Sequence, residues 1–553
     1  MYMGLVPLWL FGSSLLVLAL GRFSRKFCEL FSVASTGVAA ALSLYLLAGG
    51  EPSSAGLLPV LSDSLSRFML TVVNVLGFLI VFYSVGYMAT EEGYVRYYFL
   101  ILLFIGAMSS LVLAANVIHL YLFWELVGVC SAMLISFWWE KPEARRAGLK
   151  AFAVTRVGDI GFLIAIALLF HNLGTLNVQE VLQGLQRDYG LAATVGTLLV
   201  IAAAGKSAQF PLLVWLPDAM EGPTSVSALI HAATMVKAGV YLISRFFPSL
   251  TPEVLSTLFW IALVTALISA VSALASRDLK RVLAFSTINH LSLMFLALGS
   301  GAWAAAQLHL LSHSLFKALL FLCAGLIVHE VGTRNLDEIG GLWKGGMRLT
   351  GAAFLIGALA LAGVPPTPGF FSKEAVLASV EEALGTPGKI VAFTLSFLSA
   401  AYIFRLFFRV FAGAPREEYE EHEWWMMIPI LTLAALTALG FFLLRLAEGF
   451  LEVDHLEHHV DIAAVLGLAG GLALAAAVWW KGGLQSARRM LAGFARVADR
   501  VFLLDDLYTW AAEQVARNVS RLAVKIQQGN PALYTLWLFG FVLFLIIVFL
   551  GVV

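Results

Sequence analysis

The stretch AGKSAQFPLLVWLPDAM, from Ala204 to Met220, decides how the rest of the chain is read. It sets Lys206 in an otherwise apolar segment and places Pro211 five residues later. Proline removes a backbone donor and collides with the carbonyl four residues back, here that of Ser207, so a helix through this stretch breaks beside the charge. Within lipid, freed backbone groups are tolerated only where protein or water satisfies them. A bare lysine at the bilayer centre costs roughly 2.5–3.5 kcal/mol on insertion scales. A lysine beside a broken helix therefore points to an ion path. The alternative, a side chain snorkelling to the interface, loses ground because the pattern recurs further along.

The surrounding composition fits that reading. The chain has 553 residues, 60% of them hydrophobic and 13% charged. Its mean hydropathy is +0.89. This is an all-α, polytopic membrane protein, since the apolar runs are too long and continuous for barrel strands. The net charge is zero, which leaves no basic footprint for nucleic acid. Cys28, Cys130 and Cys323 have no metal-ligand spacing and imply no disulfide framework. The first apolar run ends at Gly21-Arg22 without a small-residue cleavage site and reads as a retained helix.

Applying a requirement of about 20 residues per span gives about sixteen spans. The seventh covers 191–215, the eighth 224–246, the eleventh 302–329, the twelfth 350–373, and the last 533–552. Arg22, Arg25 and Lys26, then Lys141, Arg145 and Arg146, then Arg277, Lys280 and Arg281, then Arg334, Lys344 and Arg348 follow odd-numbered spans. Loops after even-numbered spans hold little more than Arg67, Arg187 and Lys389. The positive-inside rule puts the first set in the cytoplasm and both termini on the other side. The acidic run PREEYEEHE, 415–423, reads as a solvated face. Residues 482–530 are charged and moderately amphipathic, and read as interfacial helix on the cytoplasmic side.

The chemistry lies in polar residues inside the spans. Glu125 sits in LYLFWELVGVCSAM; a carboxylate there is neutral or paired, and Lys206 is the expected partner. Arg156 and Asp159 form an i,i+3 pair on one face of span six, either as a static bridge or as a swinging partner for Glu125 or Lys206. Span eight carries His231, Thr234 and Lys237. Histidine titrates near neutral pH and suits a proton relay. Span eleven places His309, His313 and Lys317 at i, i+4 and i+8, stacked along one stripe. Two histidines at that spacing can also bind zinc, but no glutamate follows and Cys323 is the nearby thiol, so no metal is expected. Titratable groups about 6 Å apart suit water-bridged proton hopping instead. Asn289 and His290 of span ten are placed to face that stripe.

Span twelve reads ALAGVPPTPGFFSKEAVL: Pro365, Pro366, Pro368 and Gly369 break it, and Lys373 and Glu374 follow. Broken segments in corresponding positions of two halves point to an internal repeat with the ion site at its breaks. Lys206 precedes its break and Lys373 follows its own, as inversion requires. Spans four to eight and nine to thirteen are the candidate repeats. The expected division is 1–95 for spans one to three, 96–247 and 248–412 for the two repeats, and 413–481 for spans fourteen and fifteen. Residues 482–530 then form the amphipathic segment and 531–553 the final span.

The strings FWELVGVCS, KAFAVTRVGDIGFL, GKSAQFPLLVWLPDAMEGPTSVSALIHAATMV, DLKRVLAFSTI, HLLSHSLFKALLFL and GVPPTPGFFSKE resemble the antiporter-like membrane subunits of respiratory complex I. The nearest branch is the distal, NuoL-type (chain 5) subunit, with its relative the large subunit of Mrp sodium/proton antiporters. The resemblance covers roughly residues 60–420. It implies about fourteen core helices in two inverted five-helix repeats, with helices seven and twelve broken. It implies that Glu125 and Lys206 are the glutamate and lysine of spans five and seven, and that Arg156 and Asp159 modulate them. Lys317 is then the central lysine, with His309 and His313 beside it, and Lys373 the lysine of the far half-channel. Such subunits bind no redox cofactor. They move protons when neighbouring subunits reduce quinone or evolve hydrogen, and the expected setting is a prokaryotic plasma membrane with other membrane subunits as partners. Two features depart from the distal branch. Lys237 stands where that branch usually has a small polar residue, and the segment before the last span is short for a complex I lateral helix. Exchange of sodium for protons in an Mrp-like or membrane-bound hydrogenase complex is the alternative, with a role in inorganic-carbon uptake behind it.

Overall fold

The computed structural model describes residues 3–49, 60–421, 423–453, 461–480, 497–498, 501, 504–526 and 531–551. The apolar runs form helices because a backbone removed from water must bond to itself. In order these are α1 (Leu5–Leu20), α2 (Arg25–Leu47), α3 (Ser64–Tyr87), α4 (Tyr94–Leu113), α5 (Val117–Ile135), α6 (Pro142–Leu173), α7 (Val178–Arg187) and α8 (Tyr189–Lys206). There follow α9 (Trp215–Asp218), α10 (Thr224–Ala232), α11 (Met235–Phe246), α12 (Pro252–Ala275), α13 (Leu279–Gly299), α14 (Trp303–Val331), α15 (Arg348–Ala362), α16 (Pro368–Leu384) and α17 (Thr386–Phe411). The rest are α18 (Trp424–Ala438), α19 (Gly440–Leu451), α20 (Ile462–Ala475), α21 (Leu504–Ile526) and α22 (Pro531–Gly551). No β-strand occurs among the described residues.

Thirteen helices are long and apolar enough to cross a membrane, or fourteen if α18 and α19, bent by 68°, make one span. The other two of the sixteen expected spans are the proline-broken α15–α16 and the final helix α22. Residues 1–499 form one compact unit; residues 500–553, with α21 and α22, form another. Of the expected amphipathic segment, 482–530, residues 497–498, 501 and 504–526 are described, and Leu504–Ile526 is helical.

The break in span seven is built as the sequence requires. α8 stops at Lys206, and Ala208 turns the chain with φ +50°. The groups this releases find protein partners: the Trp215 indole donates to Gly205 O at 3.0 Å, and Phe210 N donates to Thr265 Oγ1 at 2.9 Å. Gln209 Nε2 donates to Ser207 O at 2.9 Å. In span twelve, α15 ends on Gly363 at φ +85°, and Gly363 N and Val364 N both return to Leu359 O. Pro368 then opens α16, where its missing N–H costs nothing.

Two features go beyond the expected plan. Span eight, expected as one helix, is two: α10 and α11 part at Ala233-Thr234, with no proline or glycine at the joint. Thr234 is held there by its own amide and hydroxyl, both donating to Leu229 O. Span fourteen, also expected as one helix, bends at Leu439-Gly440. A Cβ on Gly440 would lie 2.4 Å from Pro368 Cγ, so only glycine lets α19 pass against the start of α16.

A small duplicated clasp occurs in each half. α6 and α14 both end on a glycine in the left-handed region, Gly174 at φ +68° and Gly332 at φ +75°. In the first half Val117 N and Val178 N donate to Leu176 O and Ala115 O; in the second Leu279 N and Leu336 N donate to Arg334 O and Arg277 O. The start of α5 is thus tied behind α6, and the start of α13 behind α14.

Candidate functional site

Three of the four lysines singled out by sequence, Lys206, Lys237 and Lys373, sit beside helix C-terminal ends. The C-terminal end of a helix carries partial negative charge and unbonded carbonyls, which suit a cation. Lys206 is the last residue of α8. Lys237 Nζ donates to Ala232 O, the end of α10, across the unexpected break. Lys373 Nζ donates to Ala362 O, the end of α15, at 3.0 Å. Two of the broken helices therefore supply a carbonyl end for a buried ammonium, whereas Lys206 Nζ has no hydrogen-bond acceptor. Lys317 differs: it donates to Leu283 O at 3.1 Å and to Ser286 Oγ, both on α13. All four lysines are buried.

Around Lys206 the geometry revises the expected pairing. Glu125 pairs with Arg156, not with Lys206. Arg156 also pairs with Asp159, 2.6 Å away, and Asp159 in turn lies 3.5 Å from Lys206 Nζ. The reason is helical spacing. Arg156 and Asp159 share a face of α6, and Arg156 reaches α5 while Asp159 faces α8. Gly158 and Gly205 make that crossing tight: a Cβ on Gly158 would lie 3.1 Å from Gly205 Cα. The Trp124 indole also donates to Asp159, and the Trp124 ring lies under the Lys206 ammonium, 5.5 Å from its centroid. Two carboxylates and two cations sum to zero charge. The cluster runs inward: Glu125 and Arg156 side chains are 22% and 26% exposed, against 2% and 0% for Asp159 and Lys206.

From Lys206 a continuous set of elements leads to the second half. Ser207 Oγ donates to Val236 O at 2.7 Å, joining α8 to α11 beside Lys237. Lys237 reaches α14 through Ser314 Oγ and through Leu310 O at 3.3 Å. On α14, His309, His313 and Lys317 are buried along one stripe, as expected. His290 of α13 stacks on His309 with ring nitrogens 3.0 Å apart and lies 5.7 Å, ring to ring, from His313. His309 Nδ1 then meets Ser372 Oγ of α16 at 3.1 Å, next to Lys373. Lys373 itself also donates to Ser399 Oγ at 2.6 Å.

His231 stands apart from this line. Its ring packs on Phe321, 4.6 Å between centroids, one turn beyond Lys317. Both nitrogens of His231 and of His313 lack a protein hydrogen-bond partner. Buried polar groups are almost always bonded, so bridging water suits both rings.

Residues 114–399 match the family described as NADH:quinone oxidoreductase/Mrp antiporter, transmembrane part, and residues 58–98 match the complex I chain 5 N-terminus. NADH-quinone oxidoreductase subunit L of Pseudomonas aeruginosa is 40% identical over 523 residues, covering 86% of this chain and 83% of that one. A chloroplastic NAD(P)H-quinone oxidoreductase subunit 5 from Zygnema circumcarinatum is 43% identical over 374 residues, 64% of this chain. The matched part spans about half, 53%, of that relative's length. The solved Mrp complex from a Dietzia species superposes with a TM-score of 0.81 at 27% identity, over all of this chain and 63% of that one. The chain belongs to the complex I/Mrp antiporter-like family.

Within this antiporter-like chain, several site residues escaped sequence reasoning. Ser286, Ser314 and Ser399 each accept from a buried lysine, yet serine inside a span carries no distinctive pattern. Gly128 is legible only in three dimensions. A Cβ there would lie 2.5 Å from Lys206 Nζ and 2.8 Å from Arg156 Nη2, so the bare α-carbon makes room for two cations against α5.

Proposed function

We propose that this chain is a proton-translocating subunit of a complex I-type membrane complex, driven by redox chemistry in other subunits. The observation that carries the reading is the line of buried titratable groups linking the two broken helices: Lys206, Lys237, His313, His290, His309 and Lys373, with Lys317 beside it. A proton reaches Lys206 past Glu125 and Arg156. Charge on a buried ammonium depends on its partners. Movement of Arg156 and Asp159 relative to Lys206 is therefore the switch that loads and unloads it. Moving one charge against about 100 mV requires about 2.3 kcal/mol. The duplicated clasps and paired breaks support assigning 96–247 and 248–412 as inverted repeats. Loop charge supports a plasma-membrane orientation with the N-terminus outside the cytoplasm. The partners are the neighbouring membrane subunits and the lipid bilayer.

The test is replacement of Lys206, Lys317 or Lys373 by Ala in the assembled complex, read as proton pumping in vesicles. Each should abolish this chain's share of pumping; unchanged pumping in all three would refute the relay. The likeness to the Mrp complex, together with Lys237, supports sodium/proton exchange as a second reading, which requires sodium-dependent turnover.

A further inference from the structure

The row of histidines does not end at Lys373. Ser372, whose hydroxyl meets His309 at 3.1 Å, also lines a narrow cavity with Leu308, Phe441, Leu444, Arg445 and Glu448. The cavity has room for about one water molecule. Its far wall is α19, seated against Pro368 by Gly440. Glu448 is 2% exposed there, whereas the Arg445 side chain, 2.9 Å away, is 37% exposed. The pair thus has a buried carboxylate and a cation reaching outward.

The Arg445–Glu448 pair does not by itself account for burying the carboxylate. An i,i+3 ion pair on a helix contributes a few tenths of a kcal/mol. Withdrawing a carboxylate from water costs more, and apolar residues of similar volume generally do as well or better in such places. The placement along the membrane is telling. His309 is the seventh residue of α14, about 9 Å from its start. α18 begins beside the loop that follows α14, where Tyr419 N donates to Gly345 O and Glu421 accepts from Leu349 N and Thr350 N. α19 therefore lies toward the other end of α14, the end that holds Leu308 and His309. Glu448 is three residues before the end of α19.

Building on the relay reading, we infer that Glu448 is the outermost proton carrier of this chain, fed from His309 through Ser372 and positioned by Arg445. The transfer balances without a co-reactant. His309 takes a proton on Nε2 from His290 and gives its Nδ1 proton to Ser372 Oγ, leaving a neutral ring, while the Ser372 hydroxyl turns from Pro368 O, 3.0 Å away, and passes its own proton through water in the cavity to the Glu448 carboxylate. The Glu448 carboxylic acid then releases that proton to solvent beside Arg445, whose charge favours the anion left behind.

The experiment uses the assembled complex in vesicles, with redox turnover and proton uptake recorded together. Glu448→Gln and Ser372→Ala should each remove the same share of pumping as Lys317→Ala, with Glu448→Asp restoring it. If Lys317→Ala removes a share and Glu448→Gln removes none, the exit is elsewhere while the relay stands. If Lys317→Ala removes none, the relay itself fails. An Arg445→Cys variant, at the exposed end of the pair, decides the matter should Glu448→Gln not assemble. A membrane-impermeant thiol reagent applied to the non-cytoplasmic face should label it and cut pumping. Absence of labelling there, or labelling without effect on pumping, overturns the inference.

Discussion

Lys206 and Lys373 sit beside equivalent breaks, yet they are compensated differently. Lys206 has a carboxylate 3.5 Å away and no hydrogen-bond acceptor, and that carboxylate is shared with Arg156 and Trp124. Lys373 has two neutral acceptors, Ala362 O at 3.0 Å and Ser399 Oγ at 2.6 Å. Glu374, the carboxylate next to it, accepts from Asp461 N. Formal charges can be pulled apart by moving one side chain. A helix end and a hydroxyl are fixed by the fold. On the relay reading, the first site suits switching and the second suits holding a proton between steps.

The largest effect expected from this difference is that of Asp159→Asn. It strips Lys206 of its charged partner in a buried site and leaves Arg156 with Glu125 alone. Removing one member of a buried pair costs about 3–5 kcal/mol. The complex should therefore melt earlier, and the share of pumping carried by this chain should vanish. Adding Lys206→Met should recover most of the stability and none of the pumping. A double variant no more stable than Asp159→Asn would show that the two groups are not a pair. Ser399→Ala should be milder, about 1.5–3 kcal/mol for a lost bond to a charged group, since Ala362 O remains. Its pumping should fall without disappearing. Equal losses for Asp159→Asn and Ser399→Ala would break the contrast between the halves.

The sequence exposes the frame of this arrangement better than its wiring. Pro211 and the prolines at 365, 366 and 368 announce two breaks because proline cannot continue a helix. The i, i+4, i+8 stripe of His309, His313 and Lys317 is legible because helical spacing is rigid. The break at Ala233-Thr234 is not, since it is made by backbone and hydroxyl bonds to Leu229 O that any threonine can form. The pairing of Lys206 with Asp159 depends on how closely α6 and α8 cross, which no periodicity encodes. One further signal lies in the sequence itself. GTLNVQE at 174–180 and GTRNLDE at 332–338 are the same clasp written twice. In each, the glycine ends a helix in the left-handed region, and the threonine hydroxyl, five residues before a glutamate, bonds to its carboxylate. That duplication marks the internal repeat independently of the lysines. Glu421 in the acidic 415–423 run, expected to be solvated, caps the start of α15 through two backbone amides, a role charge alone does not reveal.

Two glycines sharpen the comparison at the smallest scale. Gly363 has φ +85°, and an added Cβ would also lie 3.3 Å from Lys373 Cδ. Gly363→Ala should cost about 1–2 kcal/mol, because an L side chain pays that much in the left-handed region. The loss belongs to the fold and should appear in melting before it appears in pumping. Gly128 lies in regular helix, where alanine is favoured over glycine by about 1 kcal/mol. Its added methyl would instead meet the far ends of Lys206 and Arg156, which can swing aside at little cost. Gly128→Ala should therefore leave melting within about 1 kcal/mol of the parent, while displacing Lys206 Nζ by about 1 Å. Such a displacement at a reacting centre slows transfer by up to roughly 100-fold. Pumping at unchanged stability, measured beside Gly363→Ala, separates a site whose function rests on the position of movable charges from one whose position the backbone fixes. If Gly128→Ala pumps at the parental rate, the placement of Lys206 against α5 has no part in loading it, and the switch must lie elsewhere.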